Sequence, residues 1–268
     1  MTEETISPEH QAYLRSLRLK AALVRCTQIV LLVGLFVLWE AAASRGWINA
    51  FIFSQPTKIW AALVRLYREG GLWRHLGWTV WETVLGFTVG TAAGVVIAVM
   101  LWWSEFFSQV MDPYIVVLNS IPKVALGPIF VVWLGTTITA VVAMAIAVSI
   151  IVTIMMMHTG FKEVDPNKVK LVRTFGASKG QVLWKVIIPA SIPTMIAALK
   201  VNVGLSLVGT IVGEFLASKA GLGYLIVYGG QVFNMSLVMA SVLLLLAVSV
   251  VLYYAVSFLE ERVTKGRQ

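Results

Sequence analysis

The chain alternates between long apolar runs and shorter polar segments, and the lengths of these runs suit helices that cross a membrane. About 20 mostly apolar residues make one spanning helix. The pattern predicts six such helices, at residues 26–44, 76–103, 106–134, 136–158, 194–216 and 237–259. An even number of spans places both ends of the chain on the same side of the membrane.

The first apolar run has an alternative interpretation as a cleaved signal peptide. Its uncharged part, residues 26–39, is short, and the alanine triplet at 41–43 resembles a cleavage site. The leader before it is long and contains three glutamates, whereas a signal peptide begins with a compact basic region. We therefore predict that this run is a retained span.

The amino-acid composition also indicates a membrane protein. Of the 268 residues, 59 % are hydrophobic and 13 % are charged, and the mean hydropathy is +0.85. A soluble domain of this length cannot bury so much apolar surface, but a lipid bilayer accepts it. The sequence predicts an all-α polytopic membrane protein. The single cysteine, Cys26, excludes an internal disulfide, and the three scattered histidines predict no metal site.

The net charge of +8 does not indicate a nucleic-acid partner. The basic residues are distributed in the way that orients a protein in a membrane. Cytoplasmic segments of membrane proteins are enriched in Lys and Arg. Four such residues precede the first span, six lie in 160–193 and three lie in the tail, against six on the opposite side. We predict a cytoplasmic N-terminal segment at 1–25, a transmembrane domain at 26–259 with a cytoplasmic loop at 160–193, and a cytoplasmic tail at 260–268.

The third predicted span is too long and too polar for one straight helix. Its 29 residues would measure about 43 Å, whereas the hydrocarbon core is about 30 Å thick. Broken helices at membrane depth recur at the solute sites of transporters. A tilted, kinked packing helix is the alternative. The candidate residues for a translocation pathway are those at this break and two polar residues in or near the fifth span: Asn119, Ser120, Pro122, Lys123, Asn202 and Glu214.

Three glycines in the second span, Gly86, Gly90 and Gly94, lie on one face of the predicted helix. Without side chains there, another helix can approach closely. The spacing predicts helix packing, either within the subunit or between two subunits.

The loop at 160–193 reads as two short helices joined by a glycine turn. Asp165 and Pro166 are a typical helix start, Gly176 suits a left-handed helix end, and Ser178 with Gln181 forms a capping box that opens the second helix. Pro189 and Pro193 are expected to interrupt that helix. Val169, Val172 and Phe175 predict an apolar stripe that fits a groove on a partner. Packing of this stripe against its own bundle is the alternative.

At these residues the sequence resembles the permeases of ATP-binding-cassette (ABC) importers. Their cytoplasmic signature is Glu-Ala-Ala, three residues, Gly, nine residues and Ile-x-Leu-Pro. Here Gly176 is followed at that distance by Val-Ile-Ile-Pro at 186–189, while Lys-Leu-Val at 170–172 replaces the first triplet. Ile-Pro-Lys at 121–123 and Glu214 followed by Gly-Leu-Gly at 221–223 are further similarities. The group it resembles imports nitrate, sulfonates, taurine, bicarbonate or vitamin-like heterocycles.

The resemblance implies a type I importer fold in the inner membrane and a division of labour. Two copies of the permease form the pathway, two cytoplasmic ATPase subunits bind ATP and Mg²⁺ and hydrolyse the nucleotide, and an extracytoplasmic binding protein delivers the solute. The permease itself is then not an enzyme and binds no cofactor. The coupling residues that the resemblance implies lie in the first loop helix and the turn after it: Lys168, Val169, Lys170, Val172, Arg173, Phe175, Gly176, Ala177 and Ser178. The sequence contains no phosphate-binding G-x-x-x-x-G-K-[ST] motif, so nucleotide chemistry would belong to a partner.

Two other functional classes have some support in the sequence. Gly-Ala-Ser-Lys-Gly at 176–180 matches the G-x-S-x-G pattern of hydrolases, but no histidine follows His158 and no aspartate follows Asp165, so a catalytic triad is excluded. A stand-alone secondary transporter or channel would also explain six spans and charged residues within them. An adjacent reading frame that encodes a phosphate-binding loop would favour the ABC interpretation.

Overall fold

The computed structural model describes the backbone of residues 8–264 and the side chains of Tyr13 and of residues 17–262. This part of the chain is almost entirely helical and contains no strand. The first residues of the predicted N-terminal segment, the side chain of Arg15, and Lys265 and Arg267 of the tail lie outside the described residues. The helices are α1 (Pro8–Ser44), α2 (Ala50–Phe53), α3 (Pro56–Arg68), α4 (Gly71–Trp103), α5 (Glu105–Ser120), α6 (Gly127–Leu134), α7 (Ile138–Lys162), α8 (Pro166–Thr174), α9 (Lys179–Val182), α10 (Ile188–Ala217), α11 (Leu222–Gln231) and α12 (Met235–Thr264).

The described residues contain five candidate spans, and six when one bent helix pair counts as a span, which agrees with the predicted six. Five helical segments are long and apolar enough to cross a membrane, within α1, α4, α7, α9–α10 and α12. The sixth is a bent pair, in which α5 and the segment Lys123–Leu134 meet at 88°. The all-α polytopic fold is therefore established, and the third predicted span is a broken helix.

The chain divides into two compact units, residues 1–62 and 63–268. In the first unit, the carboxylate of Glu40 near the end of α1 accepts hydrogen bonds from the amide and hydroxyl of Thr57, at 3.0 and 2.8 Å. Free amides in the first turn of a helix attract a carboxylate, so Glu40 caps α3. Helix α3 is amphipathic: Ile59 and Leu66 are buried, whereas Trp60 and Tyr67 are exposed.

In the second unit, α7 lies between α4 and α10, and small residues allow both helices to approach it closely. Gly86, Gly90 and Gly94 of α4 face Ala145, Ser149 and Thr153 of α7, and a Cβ atom on Gly94 would lie 2.6 Å from Thr153 Cβ. A Cβ atom on Gly209 of α10 would likewise lie 2.6 Å from Ala145 Cα. The glycine row of α4 thus packs within the subunit.

The second helix of the loop differs from the prediction. Pro189 and Pro193 do not interrupt it: α9 continues through a π-helical turn, Leu183–Ile187, directly into α10. A π turn shifts the hydrogen-bond register, since the amide of Ile188 pairs with Leu183 O, and Pro189 then falls in the first turn of α10.

The second unit has two distinct ends. The loop end carries α8 and α9, where Phe161, Val182 and Ile187 belong to one buried cluster. The cavity end is the opposite end, where α4 and α7 begin and α10 finishes. Helix α11, which the sequence analysis did not predict, lies at the cavity end. Its Leu222 and Leu225 are buried with Leu207 of α10 and Leu245 of α12.

Candidate functional site

A cavity of about 360 Å³ opens at the cavity end of the second unit. It is lined by the first turns of α4, the start of α7 and the segment that follows α10. Arg74, Trp78 and Glu82 line it from α4, and their spacing of four residues places them on one face of that helix. Cavities of this volume are in the range of small-molecule sites.

Glu82 is the most deeply buried polar group of this cavity, with 1 % of its surface exposed. Its side chain is within hydrogen-bonding reach of Glu214. Its second oxygen, Oε2, is buried without a hydrogen-bond partner among the described residues. Two carboxyl groups in contact away from water repel each other when both are ionised, so this pair needs a shared proton or a cationic partner.

Glu214 is held by the backbone at the start of α11 and does not line the cavity. Its Oε1 accepts a 2.6 Å hydrogen bond from Thr79 Oγ1, and its Oε2 accepts a 2.5 Å hydrogen bond from the amide of Gly223. The amide of Leu222 donates to Thr79 Oγ1 at 2.8 Å. Glu214 and Thr79 together cap the free amides of α11, a position that favours negative charge.

The Gly-Leu-Gly sequence at 221–223 is explained by this approach of the carboxylate to the backbone. Gly221 has a φ of +111°, which side chains disfavour, and a Cβ atom there would collide with the carboxylate of Glu214. A Cβ atom on Gly223 would lie 2.8 Å from Glu214 Oε2. Glycine at both positions therefore lets α10 and α11 share one buried carboxylate.

The predicted pathway residues at the break between α5 and α6 form a separate polar group. Lys123 Nζ donates to Asn119 O at 2.8 Å and to Asn119 Oδ1 at 3.3 Å, while Ser120 Oγ donates to Val116 O at 3.0 Å. Lys123 thus caps the carbonyl end of α5, where a cation is favourable. Pro122 lies in the turn, and the backbone bends there instead of continuing as one helix.

The other predicted pathway residues, Asn202 and Glu214, lie on one buried face of α10. Asn202 Nδ2 donates to Thr91 of α4 at 3.1 Å and also contacts Thr153 of α7. Ser206 and Thr210 occupy the same face at spacings of four, and the four residues form a buried polar row. Lys200 points to the other side of α10, where it pairs with Glu260 at 2.5 Å.

The predicted loop helix is confirmed as α8. Asp165 caps it through the amide of Asn167 at 2.8 Å, Gly176 follows it with a φ of +80°, and the Ser178–Gln181 capping box is present. The predicted single apolar stripe is wrong. Val169 packs against the cluster at the loop end, whereas Phe175 is 82 % exposed. A helix turns by about 100° per residue, so six residues turn by about 600°, which is about 120° short of two full turns. Positions 169 and 175 therefore point in directions about 120° apart.

The other predicted coupling residues divide between these two sides. Val172 is half-buried, and Ala177 packs against the cluster at the loop end. The remaining members are exposed: Lys168, Lys170, Arg173, Gly176 and Ser178.

The residues that line the cavity are not among the predicted site residues. Arg74, Trp78 and Glu82 carry a periodic signal, because polar or aromatic residues at spacings of four mark one helix face. The contact between Glu82 and Glu214, however, joins residues far apart in the chain, and no local pattern predicts it. Within the described ranges, no group of His, Cys, Asp and Glu side chains could hold a metal ion.

Comparison with known proteins places this fold in a transport family. Residues 86–265 match the family described as the binding-protein-dependent transport system inner membrane component. A probable ABC transporter permease protein of Haemophilus influenzae is 29 % identical over 241 residues, which cover 89 % of this chain and 97 % of that protein. A taurine transport system permease protein of Escherichia coli is 23 % identical over 260 residues, or 94 % of each chain.

Solved structures show the same fold. The inward-facing MetNI methionine ABC transporter aligns with a TM-score of 0.57 and 20 % identity, over 73 % of this chain and 94 % of that chain. An amino acid ABC transporter with histidines aligns with a TM-score of 0.56 and 21 % identity, over 69 % of this chain and 90 % of that chain. With the family match across most of its transmembrane helices, this chain belongs to the inner-membrane components of binding-protein-dependent transport systems, the permease subunits of ABC importers.

Proposed function

We propose that two copies of this permease form the solute pathway of an importer, with one cytoplasmic ATPase seated on each copy and an extracytoplasmic binding protein at the opposite face. In this arrangement the loop end and both termini are cytoplasmic, and the cavity end faces the binding protein. ATP and Mg²⁺ bind to the ATPase subunits, because this chain has no phosphate-binding loop.

The outward surface of α8 is the observation that carries this proposal. Leu171 and Phe175 are exposed and lie one helical turn apart, and Lys170 and Arg173 are exposed beside them. Helix α8 has nine residues, which is too short for stability in isolation, and Val169 and Ala177 hold it against the cluster at the loop end. An anchored helix with an exposed apolar and basic side suits insertion into a groove on a partner.

A hydrogen bond and an uninterrupted helix connect the segment after α8 to the transmembrane helices α4 and α10. Lys179 Nζ donates to Trp103 O at 2.5 Å, which joins the start of α9 to the end of α4. The capping box at Ser178 begins a helix that runs through the π turn into α10. Movement of α8 by the ATPase would therefore be transmitted to α4 and α10. Alternating access follows when the two subunits move as rigid bodies.

The solute is a small molecule, either an anion such as a sulfonate or nitrate, or a vitamin-like heterocycle. Relatives of this chain are named as permeases for aliphatic sulfonates, for taurine and for formylaminopyrimidine. The pathway residues are Asn119, Ser120, Pro122 and Lys123 at the broken helix, with the polar row of α10 that includes Asn202 and Glu214.

Co-purification tests the proposed assembly. The tagged chain is extracted in mild detergent from its native membrane, and the stoichiometry of the recovered subunits is measured. We expect an ATPase that contains a phosphate-binding loop, with two copies of each subunit. Recovery of this chain alone, active in transport without nucleotide, would instead indicate a secondary transporter.

Two matched variants test the role of α8. Phe175→Ala removes an exposed aromatic side chain from the proposed contact, and loss of a buried interface aromatic weakens binding by about tenfold or more. Phe106→Ala removes a similarly exposed ring, 77 % exposed, from the first turns of α5. We expect the first variant to lose ATPase subunits during purification and the second to retain them. Equal retention by both would contradict the assignment of α8.

A further inference from the structure

We propose that a groove at the loop end binds one anionic phospholipid of the cytoplasmic leaflet. The groove lies where α4 ends and α5 begins, and the residues that line it are Met100, Trp103, Ser104 and Phe107. An acyl chain of the lipid occupies the groove, and its phosphate group lies between Lys162 and Lys179. The site is separate from the cavity at the other end of the second unit and from the outward surface of α8.

The lining of the groove matches a hydrocarbon chain at the edge of the membrane. Met100, Trp103 and Phe107 are apolar and are 54 %, 45 % and 37 % exposed. Trp103 is the last residue of α4, and tryptophan is enriched at the level of the lipid headgroups. Met100 lies about 4.5 Å further into the span along the same helix. The groove, with a volume of about 280 Å³, therefore runs from the headgroup level into the hydrocarbon core.

Two lysines beside the groove have hydrogen-bond donors left for a phosphate group. Lys179 Nζ donates to Trp103 O at 2.5 Å and lies 5.7 Å from the centre of the Trp103 ring. Lys162 Nζ donates to Ser108 Oγ at 3.4 Å, and Ser108 lies one helical turn after Ser104 on α5. An ammonium group has three donors, and within the described residues neither lysine forms an ion pair. Both lysines are therefore available to phosphate oxygens at the mouth of the groove.

An apolar groove with two lysines beside it selects an anionic phospholipid over other anions and over zwitterionic lipids. A soluble anion would leave the groove unfilled, and a zwitterionic lipid would bring a cationic group towards the two lysines. A Lys or Arg near an anionic membrane surface contributes about fivefold in affinity. The hydrogen bond from Lys179 to Trp103 also joins α9 to α4, so the bound lipid would stabilise the junction between the loop and the spans.

Native mass spectrometry of the detergent-solubilised transporter tests the proposal. The delipidated protein is titrated with phosphatidylglycerol and with phosphatidylcholine of the same acyl chains, and the concentration that half-saturates the first bound lipid is measured. We expect this concentration to be at least about tenfold lower for phosphatidylglycerol, because two lysines contribute about fivefold each. Glycerol 1-phosphate carries the charge without an acyl chain and should not displace the lipid.

Paired charge variants locate the site. Lys162→Gln with Lys179→Gln should abolish the preference for phosphatidylglycerol, whereas Lys162→Arg with Lys179→Arg should retain it. Lys20→Gln with Arg25→Gln removes the same charge from exposed positions of α1 and should leave the preference unchanged. Glu105→Gln removes a negative charge from the first turn of α5 and should preserve or increase the preference.

Equal half-saturation by the two lipids, no retained lipid, or displacement by glycerol 1-phosphate would overturn the proposal. An equal loss of preference in the α1 variant would also overturn it, because the attraction would then come from the net charge of the protein. The comparison of the two lipids on the unchanged chain remains decisive if the glutamine pair fails to fold. Lipid binding needs no ATP, so a negative result leaves the proposed importer intact.

Discussion

At the scale of single residues, the buried carboxyl groups have opposite roles that their sequence positions do not reveal. Both Glu82 and Glu214 are 1 % exposed. Glu214 receives hydrogen bonds from Thr79 and from the start of α11, whereas one oxygen of Glu82 has no partner among the described side chains and backbone groups. Burial of a polar group is stable when its hydrogen bonds are satisfied. In this conformation, therefore, the hydrogen bonds of Glu214 are satisfied at both oxygens, whereas one buried oxygen of Glu82 is not satisfied by any described residue.

Replacement of Thr79 tests the structural role of Glu214. Thr79→Val removes the donor to Glu214 Oε1 and the acceptor for the Leu222 amide while keeping the shape of the side chain. Buried groups without partners cost about 1–3 kcal/mol each, so the melting temperature of the detergent-solubilised protein should fall. Thr88→Val is the control, because the exposed Thr88 hydroxyl bonds only to Val84 O within α4. Equal melting temperatures for the two variants would contradict this role.

At the scale of helices, glycines allow close packing around α7. Some glycines face a neighbouring helix, and others have open space around them. Gly209 of α10 faces the backbone of α7 at Ala145 and Met144, whereas Gly204, five residues earlier on the same helix, has open space around it. In lipid, helices associate through such close approaches, because the lipid tails are as apolar as the side chains. The small residues of α7 and its two neighbours therefore determine how the second unit is held together.

This contrast predicts opposite outcomes for two identical substitutions. Gly209→Ala places a Cβ atom 2.6 Å from Ala145 Cα, and overpacking of this kind costs about 1–3 kcal/mol. Gly204→Ala meets nothing within 4 Å and should be neutral or stabilise α10 by up to about 1 kcal/mol. Thermal unfolding in detergent measures both variants. A loss of stability in Gly204→Ala, or none in Gly209→Ala, would show that α7 and α10 are not packed in this way.

At the scale of the whole molecule, the two ends of the second unit present different structural features. The loop end presents α8, and the cavity end presents the cavity with Arg74 and Lys219. These ends lie on opposite faces of the membrane, because α7 and α10 each connect one to the other. The excess of Lys and Arg at the loop end predicts, by the positive-inside rule, that this end is cytoplasmic.

Thiol accessibility tests this orientation. In a Cys26→Ser background, Thr136→Cys reports the cavity end and Thr174→Cys reports the loop end, since both threonines are exposed. With a membrane-impermeant maleimide, we expect Thr136→Cys to react in spheroplasts and Thr174→Cys to react only after permeabilisation. The reverse pattern would invert the topology and contradict the proposed positions of the ATPase and binding protein.

Features that depend on local composition were predictable from the sequence. Six apolar runs gave the number of spans, and prolines and polar residues gave the break after α5. Asp165, Ser178 and Gln181 located the helix starts in the loop, because a capping side chain bonds to amides two or three residues away.

Which faces of the helices pack together, by contrast, is known from the folded structure and was not predictable from the sequence. Spanning helices are apolar on all sides, so their periodicity does not distinguish a face toward lipid from one toward a neighbouring helix. The contact between Glu82 and Glu214, the packing of the glycine row on α7, and the capping of α11 by Thr79 of α4 all join distant positions. The continuous helix through Pro189 likewise depends on a change of hydrogen-bond register that residue preferences do not specify. The cavity exists because these long-range contacts bring three helix ends together.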